Sequence, residues 1–302
     1  MSTNSSRQVH AVVVPEDLGG ERLDKALAAL VPAISRTLAR KAIGAGAVRV
    51  DGRRVRIASR PVPAGARIEA GVDAQVLAAP DAPPPVILRE GTGWWVVLKP
   101  AGQHVQGTAL GDHATLERTL SVEHVKRRRG ALKRREGVRL VHRLDADASG
   151  VLVVALDAHT ADALTNQIAS RRMERRYLAL IEGAPPAPAG TIDLRLTARQ
   201  KGRVRVADHG KVAVTRYETR SIHPRIGWSL VEASLRTGRT HQIRVHCAEA
   251  LGPIVGDRLY GGGSRGERLR LHAWRLAFDD PETGERVVVE APPEDAFYAS
   301  VE

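Results

Sequence analysis

The sequence predicts a mixed α and β chain in two parts, rich in strands and poor in helices. Three observations carry that reading. A breaker-rich stretch, Ala78-Ala79-Pro80-Asp81-Ala82-Pro83-Pro84-Pro85, splits the chain, because consecutive prolines favour an extended, semi-rigid connector. The segment before it holds two short helical patterns and a hairpin signal. The segment after it alternates many strand-like runs with few helical ones. The expected boundaries are a first domain over 1–77 (core about 20–70), a linker over 78–85 and a second domain over 86–302.

Along the first part, Leu23, Leu27, Leu30, Val31 and Ile34 recur at helical spacing and form one apolar face. Ser35 is placed to cap a second helix whose outward residues Arg36, Arg40 and Lys41 make a basic stripe, with Leu38, Ala42 and Ile43 inward. Gly44 and Gly46 end it. Val48-Arg49-Val50-Asp51-Gly52-Arg53-Arg54-Val55 alternates around an Asp-Gly pair, a hairpin signal.

In the second part, Trp94–Leu98 reads as a strand ending at Lys99-Pro100-Ala101-Gly102, and the motif context places Lys99 in the open. A run between 121 and 137 carries seven cations against two acids and reads as a flexible arm or a solvated loop. Val151–Leu156 is a buried-strand run, and Asp157 caps a helix with Ala161, Leu164 and Ile168 on one face. Further strands fit Tyr177–Ile181, 203–206, 211–220 and 228–235. Thr240 is a candidate cap for a helix lined by Ile243, Cys247, Ala250 and Leu251.

Composition narrows the partners. The 302 residues are 43% hydrophobic and 26% charged, as in ordinary globular proteins, with no apolar run long enough to span a membrane and no secretory signal at the start. One cysteine, Cys247, excludes an internal disulfide and fits a reducing cytoplasm. A net charge of +12 points to a polyanion, because Lys and Arg that neutralise phosphates release counterions. Only ten aromatic residues (four Trp, four Tyr, two Phe) argue against a binder built on rows of stacking platforms.

The densest polar cluster is His142-Arg143-Leu144-Asp145-Ala146-Asp147-Ala148-Ser149-Gly150. A calcium loop is excluded, because its twelfth position, which needs a bidentate Glu, is Leu156. Two readings stay open: a polar turn before a strand, or a catalytic Asp145 kept ionised by cations such as Arg143. His241, His246 and Cys247 lack a closely matched carboxylate for a metal site. The glycine-rich run 261–266 lacks the Gly-Lys-Ser/Thr ending of a phosphate loop.

Two resemblances sharpen this. Glu21-Arg22-Leu23-Asp24, Ser35-Arg36, Gly46–Gly52 and Pro61–Gly65 resemble the RNA-binding domain named after ribosomal protein S-four, which implies that the basic helix, with Arg36, Arg40 and Lys41, meets RNA backbone. His142–Asp145 through Ser149-Gly150 resembles the signature of RluA-type pseudouridine synthases. Val96–Gly102, Arg176–Gly183, Thr237–His246, Gly256–Gly261 and Leu271–Ala273 follow in that family's order, and the resemblance covers most of residues 87 to 292. Ala148 and Leu98 depart from the family's usual Thr and Asn.

The resemblance implies a largely antiparallel mixed sheet (an α+β catalytic domain) and isomerisation of uridine to pseudouridine in structured RNA, mostly large-subunit ribosomal RNA. It makes Asp145 the catalytic carboxylate, Tyr177 the residue that stacks on the base and helps remove a proton, and Arg244 the partner that keeps Asp145 charged. Arg143, Arg239 and Lys99 are expected on the RNA, with a structural role at the turn equally open for Lys99. An isomerisation needs no metal or organic cofactor, and the protein is expected to act as a monomer in the cytoplasm, away from membranes. The rival readings are a non-enzymatic RNA-binding or ribosome-assembly factor, a synthase directed at transfer RNA, and a glycosidase that breaks the same bond without rejoining it.

Overall fold

Leu23 and Leu27, four residues apart, are both fully buried, and that pairing sets the first helix, α1 (Leu23–Leu30). In the computed structural model, which describes residues 8–72, 82–107, 111–112, 114–128, 136–200, 202–225, 227–261 and 268–298, the chain divides into two compact units. One holds 1–84 together with 104–123, and the other holds 85–103 together with 124–302. The inclusion of 104–123 in the first unit is invisible in the proline pattern. The connector residues 78–81, the basic stretch 129–135 and the glycine-rich residues 262–266 lie outside the described residues.

In the first unit, the Ser35 side chain accepts from Leu38 N–H and starts α2 (Arg36–Gly44). Ala42 and Ile43 pack with Ile34, Val48 and Ile68 in one apolar core. The strands β1 (Gln8–Val13), β2 (Val48–Val50), β3 (Arg53–Arg54) and β4 (Arg67–Val72) form an antiparallel sheet in the order β1-β4-β2-β3. Between β2 and β3, Asp51 and Gly52 both take positive φ, 50° and 74°, the geometry a two-residue hairpin turn requires.

The basic stripe on α2 is not simply solvated. Asp24, fully buried, accepts from Arg22, Arg36 and Arg40 at 3.0, 3.2 and 2.8 Å. These hydrogen bonds, that of Arg22 foremost, hold its carboxyl far below the usual range. Three guanidinium groups are thereby fixed around one anion, while Lys41 stays exposed.

The second unit is organised by one large mixed sheet. Its strands are β5 (Val86–Gly91), β6 (Trp94–Lys99), β7 (Glu136–Leu140), β8 (Ser149–Asp157), β9 (Glu174–Glu182), β10 (Ala189–Leu196), β11 (Lys211–His223), β12 (Trp228–Leu235), β13 (Leu271–Asp279) and β14 (Arg286–Glu290). The order is β10-β11-β12-β9-β13-β8-β6-β5, with β7 on β8 and β14 on β13. Every pairing is antiparallel except β13 with β8. That parallel contact requires Gly150: a Cβ there would lie 2.2 Å from the Ala273 carbonyl oxygen, and its φ is +121°.

Asp157 caps the helix after β8, as expected, accepting from Thr160 N–H at 2.8 Å. Trp94, Val151, Val153, Leu164 and Phe278 form the core beneath that helix. The charged run after 121 is not an arm throughout: a helix spans Leu116–Arg127, and Arg127 and Arg128 pair with Glu90 and Glu136 at 2.5 Å each. Residues 203–206 form only isolated bridges, whereas β10 is a strand that the sequence pattern did not single out.

Candidate active site

Asp145 sits in the loop that joins β7 to β8, Tyr177 lies on β9, and Arg244 is the third residue of the helix Gln242–Ala250. The sheet brings all three onto the wall of one cavity of about 310 Å³. Arg143, Arg239, Arg175 and His241 line the same cavity.

Arg244 is held more firmly than the sequence suggests. Its side chain is 4% exposed; Nε and one terminal nitrogen donate to the two oxygens of Asp257, each at 2.7 Å. The other terminal nitrogen reaches Asp145 at 3.4 Å. Burial works against the charge, but the hydrogen bonds and charge of Asp257, with Asp145 behind them, raise the guanidinium above its ordinary pKa. Asp257 is the residue that motif reading left without a role. It is fully buried and also accepts from Leu259 and Tyr260 N–H. The bidentate clamp aims the remaining donor at Asp145.

Gln242 fixes the turn before that helix: its carbonyl accepts from Thr237 Oγ1 and Arg239 N–H, and its amide donates to Val214 O and Thr215 Oγ1. The cap is His241, not Thr240. His241 takes φ +53°, a conformation sparsely used by non-glycine residues, and makes no side-chain cap bond. Thr240 Oγ1 instead accepts from Arg143 at 2.7 Å. Tyr260 Oη accepts from Val204 N–H at 2.9 Å and lies 2.8 Å from His241 Nδ1.

Lys99 corrects the expectation of an exposed RNA contact. It is fully buried, and Nζ donates to the carbonyls of Pro100, Gln103 and Ala146 at 2.7, 2.9 and 2.8 Å. Burial draws the ammonium down to about 7, while three acceptors match its three N–H groups. Lys99 therefore ties the turn after β6 to the residue next to Asp145. Ser149 is also not a turn residue. It opens β8 and bonds His272 Nδ1 at 2.8 Å, while His272 Nε2 meets Ala291 O at 2.9 Å.

His142 supports the same loop from below, its Nε2 accepting Val153 N–H at 3.0 Å. The proton is therefore on Nδ1, which is buried and unpartnered among the described residues. Burial, with Arg175 nearby, pushes the imidazole down to about 3. An unfolded chain binds this proton below about pH 6.5 and the folded chain does not, so stability is lost as pH falls, by ~1.4 kcal/mol per unit. His142→Gln keeps an acceptor for Val153. Its melting temperature is expected to fall less steeply than the native protein's between about pH 6.5 and 4.5; equal acid slopes would remove His142 as the cause.

Tyr177 is 5% exposed, and burial raises its phenol above the ordinary value. The cavity thus presents an acceptor carboxylate, a largely desolvated phenol ring and a fixed cation, with arginines at its rim. Such a cavity can accept a planar polar group, and its arginines suit a polyanion.

That class agrees with what the chain is similar to. The profile described as RNA pseudouridylate synthase matches residues 93–249, and that of the S4 domain matches 21–68. The chain belongs to the RNA pseudouridylate synthase family. It is 36% identical over 320 aligned residues to the ribosomal large subunit pseudouridine synthase D of Xanthomonas campestris pv. campestris, covering 98% of this chain and 94% of that one. The protein of the same name from Xylella fastidiosa is 38% identical, covering 93% of this chain and 88% of its own length. Among solved structures, human RNA pseudouridylate synthase domain containing 1 is 27% identical with a TM-score of 0.56, covering 69% of this chain and 83% of that one. The corresponding human domain containing 4 protein, at 24% identity and a TM-score of 0.59, covers 72% of this chain and 92% of its own and shares the fold.

Proposed function

We propose that this pseudouridine synthase isomerises specific uridines of large-subunit ribosomal RNA, with Asp145 as the catalytic carboxylate. The observation that carries the chemical part is the Asp145 carboxylate on the wall of a cavity, met by a guanidinium whose direction is set by Asp257. The two bacterial relatives named for large-subunit RNA, aligned over nearly their whole lengths, support the substrate class.

The target nucleotide must leave its stack to reach the cavity. Asp145 then acts at the sugar, either by attack on the anomeric carbon or by taking a sugar proton. The base detaches, turns and rejoins through a ring carbon. Tyr177 stacks on it and assists removal of the proton from that carbon. Arg244 holds Asp145 ionised. Arg143 and Arg239 meet the RNA at the rim, and Arg36, Arg40 and Lys41 meet its backbone from the first unit. The reaction conserves atoms and oxidation state and so calls for no metal or organic cofactor; the protein is taken to act as a monomer in the cytoplasm.

Pseudouridine mapping of all RNA from cells with and without the gene tests this. At least one large-subunit site is expected to revert to uridine in the deletion strain. Persistence of every site, together with no modification by purified protein, would defeat the proposal; loss of a transfer RNA site alone would move the substrate assignment.

A further inference from the structure

Arg175 stands two residues before Tyr177 on β9, and alternate residues of a strand share a face. It is 8% exposed, its Nε has no hydrogen-bond partner, and no carboxylate among the described residues pairs with it. A buried cation without a counter-charge is costly, so such a group calls for an anion brought by a ligand.

Arg175 walls two spaces at once. One is the catalytic cavity; the other is a groove of about 310 Å³ lined also by Arg171, Arg172, Arg176 and Arg236, with Glu174 as its carboxylate. Glu174 is already engaged by Arg176, Arg275 and Arg286 at 3.5, 2.9 and 2.8 Å. Arg176 reaches Glu232 at 3.2 Å, and Arg172 lies 3.9 Å from Asp279. Arg171, Arg175 and Arg236 keep no acidic partner among the described residues, so the groove carries unspent positive charge.

Arg171 adds an independent observation. The helix Ala158–Ala169 ends with Arg172 N–H on Gln167 O at 2.9 Å and Arg171 N–H on Ile168 O at 3.2 Å. This is the Schellman pattern, which puts Arg171 at the left-handed position that glycine normally fills, with φ +61°. That position is less favourable for an arginine than for a glycine, and the Arg171 side chain lines the groove.

We propose that this arginine groove takes a phosphodiester next to the extruded uridine. The inference rests on the reading that the cavity receives a flipped nucleotide. Flipping turns a nucleotide about its own backbone, so its flanking phosphates stay at the cavity rim. A guanidinium fork matches phosphate oxygens two at a time.

The test uses full-length protein and an RNA carrying its mapped target uridine. Arg171 and Arg236 are exposed, so Arg171→Ala/Arg236→Ala is expected to fold normally. Its RNA affinity should fall about tenfold near 0.1 M salt, and the slope of log affinity against log salt should flatten by roughly 0.7 to 0.9 for each phosphate that is no longer neutralised. KM should rise more than kcat falls. Methylphosphonate at one of the two phosphates flanking the target should cost the native protein a similar factor, and the double variant little more.

A variant with the native salt slope, or losses from the two changes that simply multiply, would overturn the groove assignment. If the native protein itself failed to convert the uridine, the catalytic reading would fall first, and the inference with it.

Discussion

Asp145→Asn is expected to abolish pseudouridine formation, with a loss of at least about 10³-fold, or ~4 kcal/mol of transition-state stabilisation, while RNA affinity stays within about twofold. An amide has nearly the shape of the carboxylate but can neither attack a sugar carbon nor take a proton from one. The fold has little reason to change. The Asp145 side chain is 22% exposed, and its ion pair with Arg244 is the long one, at 3.4 Å, whereas Arg244 keeps both 2.7 Å bonds to Asp257. A stability loss of about 1 kcal/mol or less follows for so partial an interaction. Three measurements decide it: conversion of the mapped uridine, RNA binding and melting temperature. Activity within tenfold of native would sink the catalytic role. Loss of binding and a large drop in melting temperature together would make Asp145 a structural residue of the loop.

The local rules that depend on a few neighbouring residues were legible in the sequence. Ser35 and Asp157 cap the helices they precede, and Asp51-Gly52 makes the hairpin turn, because each acts on backbone groups two or three residues away. The grouping of Asp145, Tyr177 and Arg244 was legible only through family resemblance, since the fold gathers them from positions spread over 99 residues.

What stayed hidden depends on burial and long-range partners. Lys99 reads as a charged turn residue, yet one carbonyl that receives it belongs to Ala146, across the sheet connection. Arg36 and Arg40 read as an outward basic stripe for RNA, and their pairing with the fully buried Asp24 on the preceding helix left no mark in the local pattern. Thr240 looks like a better cap than His241 by residue type, but Gln242 locks the turn so that His241 takes the left-handed cap position. Asp257 lay inside the Gly256–Gly261 stretch, but nothing local assigned it a role.

Asp257→Asn is therefore expected to have the largest effect on stability. Its carboxylate is fully buried and accepts from two nitrogens of Arg244 and two backbone N–H groups. Removing the charge leaves the buried Arg244 cation with only the more distant Asp145 carboxylate as counter-charge. Breaking one side of such a pair typically costs about 3–5 kcal/mol, which for a unit of this size lowers the melting temperature by roughly 6–20 °C. Conversion should fall as well, since Arg244 loses the fork that aims it at Asp145.

A second variant separates the two consequences. Arg244→Met/Asp257→Leu replaces the buried pair by apolar side chains of comparable bulk, a change that is often neutral or stabilising. It should recover most of the melting temperature while conversion stays at the level of the single variant. Recovery of both would show that the pair only holds the fold together. Recovery of stability alone would show that the clamp exists to present one guanidinium to Asp145, at a cost in stability that an apolar core would not incur.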